Sequence, residues 1–251
     1  MQLRDFKHQP EVLMETRDET LFDTIRKTIP PLHPEGWKFV AMFAVATFIL
    51  AEISHFFLWP CILLTLWCAY FFRDPIRTVP NRAGLLVSPA DGLVQKIVKV
   101  VPPAPLNLGS AELTRISIFL NVFDVHVNRI SGGGTVSALL YHPGKFLNAS
   151  LDKASEENER QFITVQLDNG KSIGIVQIAG FVARRILCTL RVGQKVATGE
   201  RLGLIRFGSR VDLYLPEGAI PQVIVGQRAV GGETVLADLA SGEIARDGTR
   251  I

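Results

Sequence analysis

Three short segments carry the side chains that could do acid, base or nucleophilic work: VSPADG at 87–92, FDVHVNR at 123–129 and RFGSR at 206–210. They contribute Asp91, His126 and Ser209. A serine hydroxyl is a weak nucleophile until a histidine takes its proton, and that histidine needs a carboxylate to hold its tautomer. An Asp/His/Ser triad of hydrolase type is one reading. The chain order is that of subtilisin-like enzymes, but the surrounding sequences differ and no Gly-x-Ser-x-Gly elbow is present. A second reading is that the serine attacks its own chain, because Gly208 has no side chain to shield its carbonyl and its backbone tolerates strain. Singly, each residue has a commoner use. Asp before Gly is a turn, a lone His in an alternating segment is structural, and Gly-Ser recurs at Gly109–Ser110.

These segments lie in a region dense in β-branched residues punctuated by Gly and Pro. It includes LLVSPADGLVQKIVKVV, TRISIFLNVFDVHVNRI, FITVQLDNGKSIGIVQIAG and VARRILCTLRV, which is the pattern of short strands and hairpins. DNG at 168–170 predicts a hairpin with a type I′ turn. VGQKVATGE at 192–200 returns as VGQRAVGGE at 225–233, a period of 33 residues, as expected of two related hairpins. Similar turns punctuate lipoyl and biotinyl carrier domains, but no carrier-type Lys sits at either tip. The fold expected from about residue 74 to 251 is mostly β, a lipoyl-like or hybrid-motif assembly of hairpins behind a helical hydrophobic N-terminal segment.

That N-terminal segment is almost wholly apolar over 39–51 and 56–72, broken only at Glu52, Ile53, Ser54 and His55. As helices the runs reach about 20 and 26 Å, short of a hydrocarbon core of about 30 Å. A shallow membrane hairpin within 1–73 is expected, with Lys38 and Arg73 flanking it on one basic, cytosolic side. The rivals are one tilted span, which would bury Glu52, and a buried helical pair in a soluble protein. Residues 1–38 lack the layout of a cleaved signal, so the expected location is the cytoplasmic face of the cell membrane.

Composition narrows the classes. The 251 residues are 47% hydrophobic and 20% charged, with mean hydropathy +0.24, which excludes wholesale disorder. A net charge of +3 is too small for a protein that neutralises a nucleic-acid backbone. Cys61, Cys68 and Cys188 form no CxxC pair, so neither a disulfide framework nor a zinc site is indicated. SGGGT at 131–135 lacks the Lys of a phosphate loop.

FFRDPIRTVP (71–80), VSPADGLV, FLNVFDVHVNRI, the ENER of 157–160, GIVQIAGFVARRI (174–186) and LGLIRFGSRVDLYLP (202–216) occur in this order. On these motifs the chain resembles the phosphatidylserine decarboxylases, of the short bacterial type with a hydrophobic anchor, from about residue 71 to 239. The resemblance implies self-cleavage between Gly208 and Ser209. A β chain (1–208) and an α chain (209–251) would remain associated, and Ser209 would become a covalent pyruvoyl cofactor. It implies that this pyruvate-type group forms a Schiff base with phosphatidylserine and releases CO2 and phosphatidylethanolamine. Asp91 and His126 are the positions implied for activating Ser209, and His126 also for protonating the product. Many relatives read D-Y-H-R-x-H, whereas here only the first histidine is matched; either His126 serves both steps or His142 assists. Arg129 and His142 are candidate substrate contacts. A homo-oligomer is left open. Two rivals remain: a non-catalytic, membrane-tethered adaptor of lipoyl-like hairpins, and a pyruvoyl decarboxylase of a soluble amino acid.

Overall fold

A computed structural model describes residues 30–144, 158–180, 185–206 and 208–248. The apolar N-terminal runs form two helices, α1 (Gly36–Ile53) and α2 (Leu58–Phe71), joined through a single 3-10 turn at His55–Phe57. The chain reverses where Ser54 leaves the helical region at φ −161 and its hydroxyl accepts from the Phe56 amide. Helix α1 starts three residues before the first apolar run and is about 27 Å long. By length and composition it is apolar enough to cross a membrane. Thr47 and Thr65 hydroxyls meet across the hairpin at 3.1 Å, and its ends are tied where His33 donates to the Phe72 carbonyl at 2.8 Å. Trp37, Phe48, Ile53, Phe56, Trp59 and Leu63 are exposed on its surface.

Beyond Arg73 the described residues form thirteen strands in antiparallel sheets of eight, three and two strands. The fold is mostly β behind an apolar helix, as the residue pattern predicts. In chain order the strands are β1 (Leu85–Val87), β2 (Gly92–Val100), β3 (Leu113–Leu120), β4 (Val127–Arg129), β5 (Gly134–His142), β6 (Arg160–Leu167) and β7 (Ser172–Ala179). Then come β8 (Ile186–Cys188), β9 (Lys195–Val196), β10 (Arg201–Ile205), β11 (Ser209–Tyr214), β12 (Arg228–Ala229) and β13 (Val235–Asp238). The large sheet runs β12-β2-β3-β11-β7-β6-β5-β9, and a smaller sheet runs β4-β10-β8. Strand β11 is therefore central, paired with β3 and β7 along its whole length.

The 33-residue repeat is a structural duplication. Its two copies supply β9 and β12, the two edge strands of the large sheet. In each copy the glycine amide after the first valine donates to a carbonyl of the neighbouring strand, Gly193 to Val136 and Gly226 to Val94, both at 2.8 Å. In each, the glutamine side chain accepts from the residue three before it, Gln194 from Arg191 and Gln227 from Ile224.

The DNG hairpin joins β6 to β7 as predicted, but its turn differs. Leu167 and Lys171 close a three-residue loop, Gly170 has φ +81, and Asn169 does not take a positive φ. A type I turn followed by a left-handed glycine replaces the two-residue type I′ turn, because β6 continues through Leu167 and leaves three residues to reverse the chain.

Both faces of the large sheet are covered. One carries Ile116, Ile118, Ile163, Ile173, Ile175, Val211 and Leu213 of the main core; the other carries Phe162, Val176, Ile178 and Tyr214. A further cluster joins the helical hairpin to the small sheet, packing Cys68, Phe71 and Phe72 against Val125, Val127 and Leu204. The helical hairpin and the small sheet thus share an apolar seam, and burial of each large side chain there contributes roughly 1.5–3 kcal/mol.

Candidate active site

Register places the candidate nucleophile. Ser209 opens β11 opposite Leu120, the last residue of β3, and Ala179, the last residue of β7. Directly opposed residues share a face of an antiparallel sheet, so Ser209 shares the main-core face with Val211 and Leu213. That face is otherwise lined by Ile, Val, Leu and Ala of the main core, with Gln177 and Gln161 as its polar positions beside Ser209. Ser209 lies diagonal to Gln177, which is opposite Gln161 of β6. Ser209 is fully buried, and its Oγ has no hydrogen-bond partner among the described residues. A buried hydroxyl without a partner costs about 1–3 kcal/mol, so this position sacrifices stability.

The residue before it is also unusual. Gly208 has φ +60, in the left-handed region, yet a Cβ there would meet nothing within 4 Å. The need for glycine is therefore conformational and not steric. Gly208→Ala imposes about 1–2 kcal/mol of backbone strain without a clash, and we expect roughly tenfold slower splitting of the chain at this bond, followed over time by denaturing electrophoresis. An unchanged rate would show that the left-handed conformation plays no part.

His126 reaches the same end of the molecule by another route. Its carbonyl accepts from Ile205 at 3.3 Å, extending the β4–β10 ladder, and Ile205 is four residues before Ser209. The imidazole is fully buried against the Phe71 ring, with centroids 4.2 Å apart. Nδ1 lies 3.0 Å from the Asp124 carbonyl oxygen. That oxygen can only accept, so Nδ1 carries the proton and Nε2 keeps its lone pair, with no partner of its own. Burial is the main reason the imidazole pKa falls from 6.5 to about 4. The ring is a neutral base of fixed tautomer at physiological pH.

Asp91 lies at this end too, on the turn into β2, but its described partners are others. Its carboxylate accepts from Arg77 at 2.7 Å and from the Gly231 amide at 2.8 Å. Burial raises its pKa, and Arg77 opposes that shift. The tautomer-fixing bond that sequence logic gives to a carboxylate is made instead by the Asp124 backbone. The Asp124 carboxylate is itself engaged, by Arg228 and by the Asn121 amide at 2.8 Å.

Of the two remaining candidates, Arg129 is engaged by other groups and His142 lies on the opposite face of the sheet. Arg129 is buried, and it donates to the carbonyls of Gly199 and Pro75, both at 2.9 Å, and faces Asp74. His142 is exposed at the end of β5. Its register runs through Arg160 and Ile178 to Arg210, which puts it three strands away on the face opposite Ser209. Residues 145–157 and 181–184, which hold much of KASEENER and GFVARRI, lie outside the described residues.

Several supporting residues belong to the motifs without being predicted individually. Within FFRDPIR, Arg77 holds Asp91, Asp74 binds Arg201 at 2.6 Å, and Phe71 covers His126. Within ENER, Asn158 donates to the Ala179 carbonyl at 2.7 Å, beside Ser209. Gln177 was detectable as a polar residue in core phase, in the row Ile173, Ile175, Gln177, Ala179. Among the described residues no group of three His, Cys, Asp or Glu side chains is placed to hold a metal ion.

A family profile described as phosphatidylserine decarboxylase matches residues 64–237. The chain is 57% identical over 226 residues to the phosphatidylserine decarboxylase proenzyme of Cereibacter sphaeroides, covering 90% of this chain and 97% of that one. It is 56% identical over 211 residues to the corresponding proenzyme of Ruegeria pomeroyi, covering 84% and 96%.

Proposed function

Because the chain belongs to the phosphatidylserine decarboxylase family, we propose that it matures by splitting itself between Gly208 and Ser209. It then decarboxylates phosphatidylserine to phosphatidylethanolamine. The observation that carries the maturation step is the fully buried Ser209 hydroxyl without a partner, directly after a glycine held at φ +60.

His126 Nε2 takes the Ser209 Oγ proton, Oγ attacks the Gly208 carbonyl carbon, and the peptide nitrogen leaves that carbon as an amine, so that an ester replaces the amide. Removal of the Ser209 α-proton expels the Gly208 carboxylate, which becomes the C-terminus of residues 1–208. Water then replaces the nitrogen on residue 209 and ammonia leaves, giving the keto acyl terminus of residues 209–251.

The residues fit such a group: the position is dry, central and backed by strands on both sides, so the new terminus stays where β3 and β7 hold it. When formed, the pyruvoyl group supplies a ketone that condenses with the substrate amine and accepts electrons as CO2 leaves. The chain's own contribution is to exclude water with the seam around Phe71, to hold His126 in one tautomer as proton carrier, and to keep the two polypeptides paired. Asp91 acts through the β2 end that it fixes with Arg77, not by contact with the imidazole. The exposed apolar hairpin supports membrane insertion from the cytoplasmic side. The site at its base then meets substrate that stays in the bilayer.

Mass analysis of purified, denatured protein tests this reading. We expect two polypeptides divided between 208 and 209, the smaller one blocked to Edman degradation and mass-shifted by hydrazine. A single intact chain that is nonetheless active would overturn it.

A further inference from the structure

One polar pair on the Ser209 face takes no part in the chemistry described so far. Asn128 of β4 and Gln177 of β7 are both fully buried and are joined by a hydrogen bond of 2.8 Å between their amides. The bond bridges the small sheet to the large one. It leaves one amide NH2 group and one amide carbonyl oxygen without partners among the described residues, Asn128 Nδ2 and Gln177 Oε1. Turning both amides over would exchange the two roles and still leave one donor and one acceptor.

The pair is placed beside the reacting groups by the backbone. Asn128 follows His126 by two residues in an extended segment, which sets both on one face of the strand. Gln177 is diagonal to Ser209 on the shared core face. Four buried polar groups, on Ser209, His126, Asn128 and Gln177, therefore gather at one end of an apolar core, each with an unsatisfied atom. Native interiors seldom tolerate such atoms unless a ligand or a reaction completes them.

Resting on the proposed split at Ser209, we infer that the Asn128–Gln177 amide pair is the recognition element for the amino-acid end of the substrate headgroup. Its free donor meets the carboxylate, and its free acceptor meets the amine. A zwitterionic amino acid offers one acceptor group and one donor group, the complement of what the pair leaves open.

The neutrality of the pair suits a decarboxylase. Nearby guanidiniums are committed elsewhere, Arg129 to Gly199, Pro75 and Asp74, Arg77 to Asp91 and Arg228 to Asp124. A buried cation on the carboxylate would stabilise the charge that must disappear as CO2 forms, whereas an amide donor orients it with a weaker hold on the ground state. The product has lost its carboxylate and would leave the amide donor unpaired, which favours release.

The test uses the full chain in detergent mixed micelles, with wild type, Asn128→Leu, Gln177→Leu and the double variant N128L/Q177L. The double variant removes both amides together, so no partner is stranded and folding is retained. For each, mass analysis gives the split fraction, and KM and kcat for phosphatidylserine are expressed per split chain. Phosphatidylethanolamine is titrated as inhibitor, and Tm is recorded. We expect KM for phosphatidylserine to rise roughly tenfold to a hundredfold in all three variants, while inhibition by phosphatidylethanolamine changes far less. A folded, split double variant with wild-type KM would reduce the pair to a bridge between sheets and overturn the inference. Folded variants that fail to split would also overturn it, by moving the pair into self-cleavage. An intact but active wild type would instead refute the split itself.

Discussion

Ser209→Ala leaves a single 27.7 kDa chain that releases no CO2 from phosphatidylserine. The substitution removes one oxygen, and with it both the nucleophile for the Gly208 carbonyl and the precursor of the reactive ketone. The other hydroxyl on that strand, on Tyr214, lies at its far end and on the opposite face of the sheet. The stability consequence runs opposite to that of most core substitutions. Ser209 Oγ is buried without a partner, so alanine relieves a desolvation cost of about 1–3 kcal/mol and removes little volume. The variant is expected to melt at or above the temperature of an uncleaved wild-type chain. Denaturing electrophoresis, a decarboxylation assay and calorimetry on one preparation check all three statements. Normal processing would refute the assigned bond, and a lowered Tm would show that Ser209 stabilises the fold.

His126→Ala slows maturation by roughly 10²–10⁴-fold, the usual contribution of a positioned general base. Alanine also leaves a void under Phe71, so His126→Phe serves as a packing control that fills the space without the base. Both variants should process slowly, and only His126→Ala should melt much lower. The pH dependence separates a catalytic from a packing role. Because burial pushes the imidazole to about 4, the neutral base persists through mild acid. Processing of fresh precursor should stay level from pH 8 to about 5 and fall only below that. The linked stability change has the matching sign. Between 6.5 and about 4 the unfolded chain binds this proton and the folded chain does not, so stability is kept above 6.5 and lost as the pH falls through that window. A processing midpoint near the ordinary histidine value would mean that water reaches the ring. Rapid cleavage of His126→Ala with no decarboxylation would confine the residue to the second reaction.

These expectations drew unequally on the sequence. Ser209, Gly208 and His126 could be picked out by type and motif, and the β character, the DNG hairpin and the 33-residue repeat followed from local patterns. The position of Asp91 at the same end of the sheet was accessible, but its partner was not. The spacing between Asp91 and Arg77 does not reveal that a turn and an extended segment lie side by side. Arg129 looked available for a headgroup because its charge is visible in the sequence, while the three groups that occupy it come from distant segments at Asp74, Pro75 and Gly199. His142 lay in a family-like segment, but three steps of strand register put it on the opposite face.

The sequence by itself determined the local backbone preferences, the apolar hairpin, the two related turns of the repeat, and the glycine–serine bond set among strand-forming residues. These depend on side-chain shape and periodicity over a few neighbours. Only the tertiary structure decided which buried polar atoms would be paired and which left open. That outcome depends on which strands become adjacent and in what register, and a hydrogen bond of 3 Å between residues 50 positions apart leaves no local trace. The Phe71 ring over His126 and the Asn128–Gln177 amides beside Ser209 are of this kind.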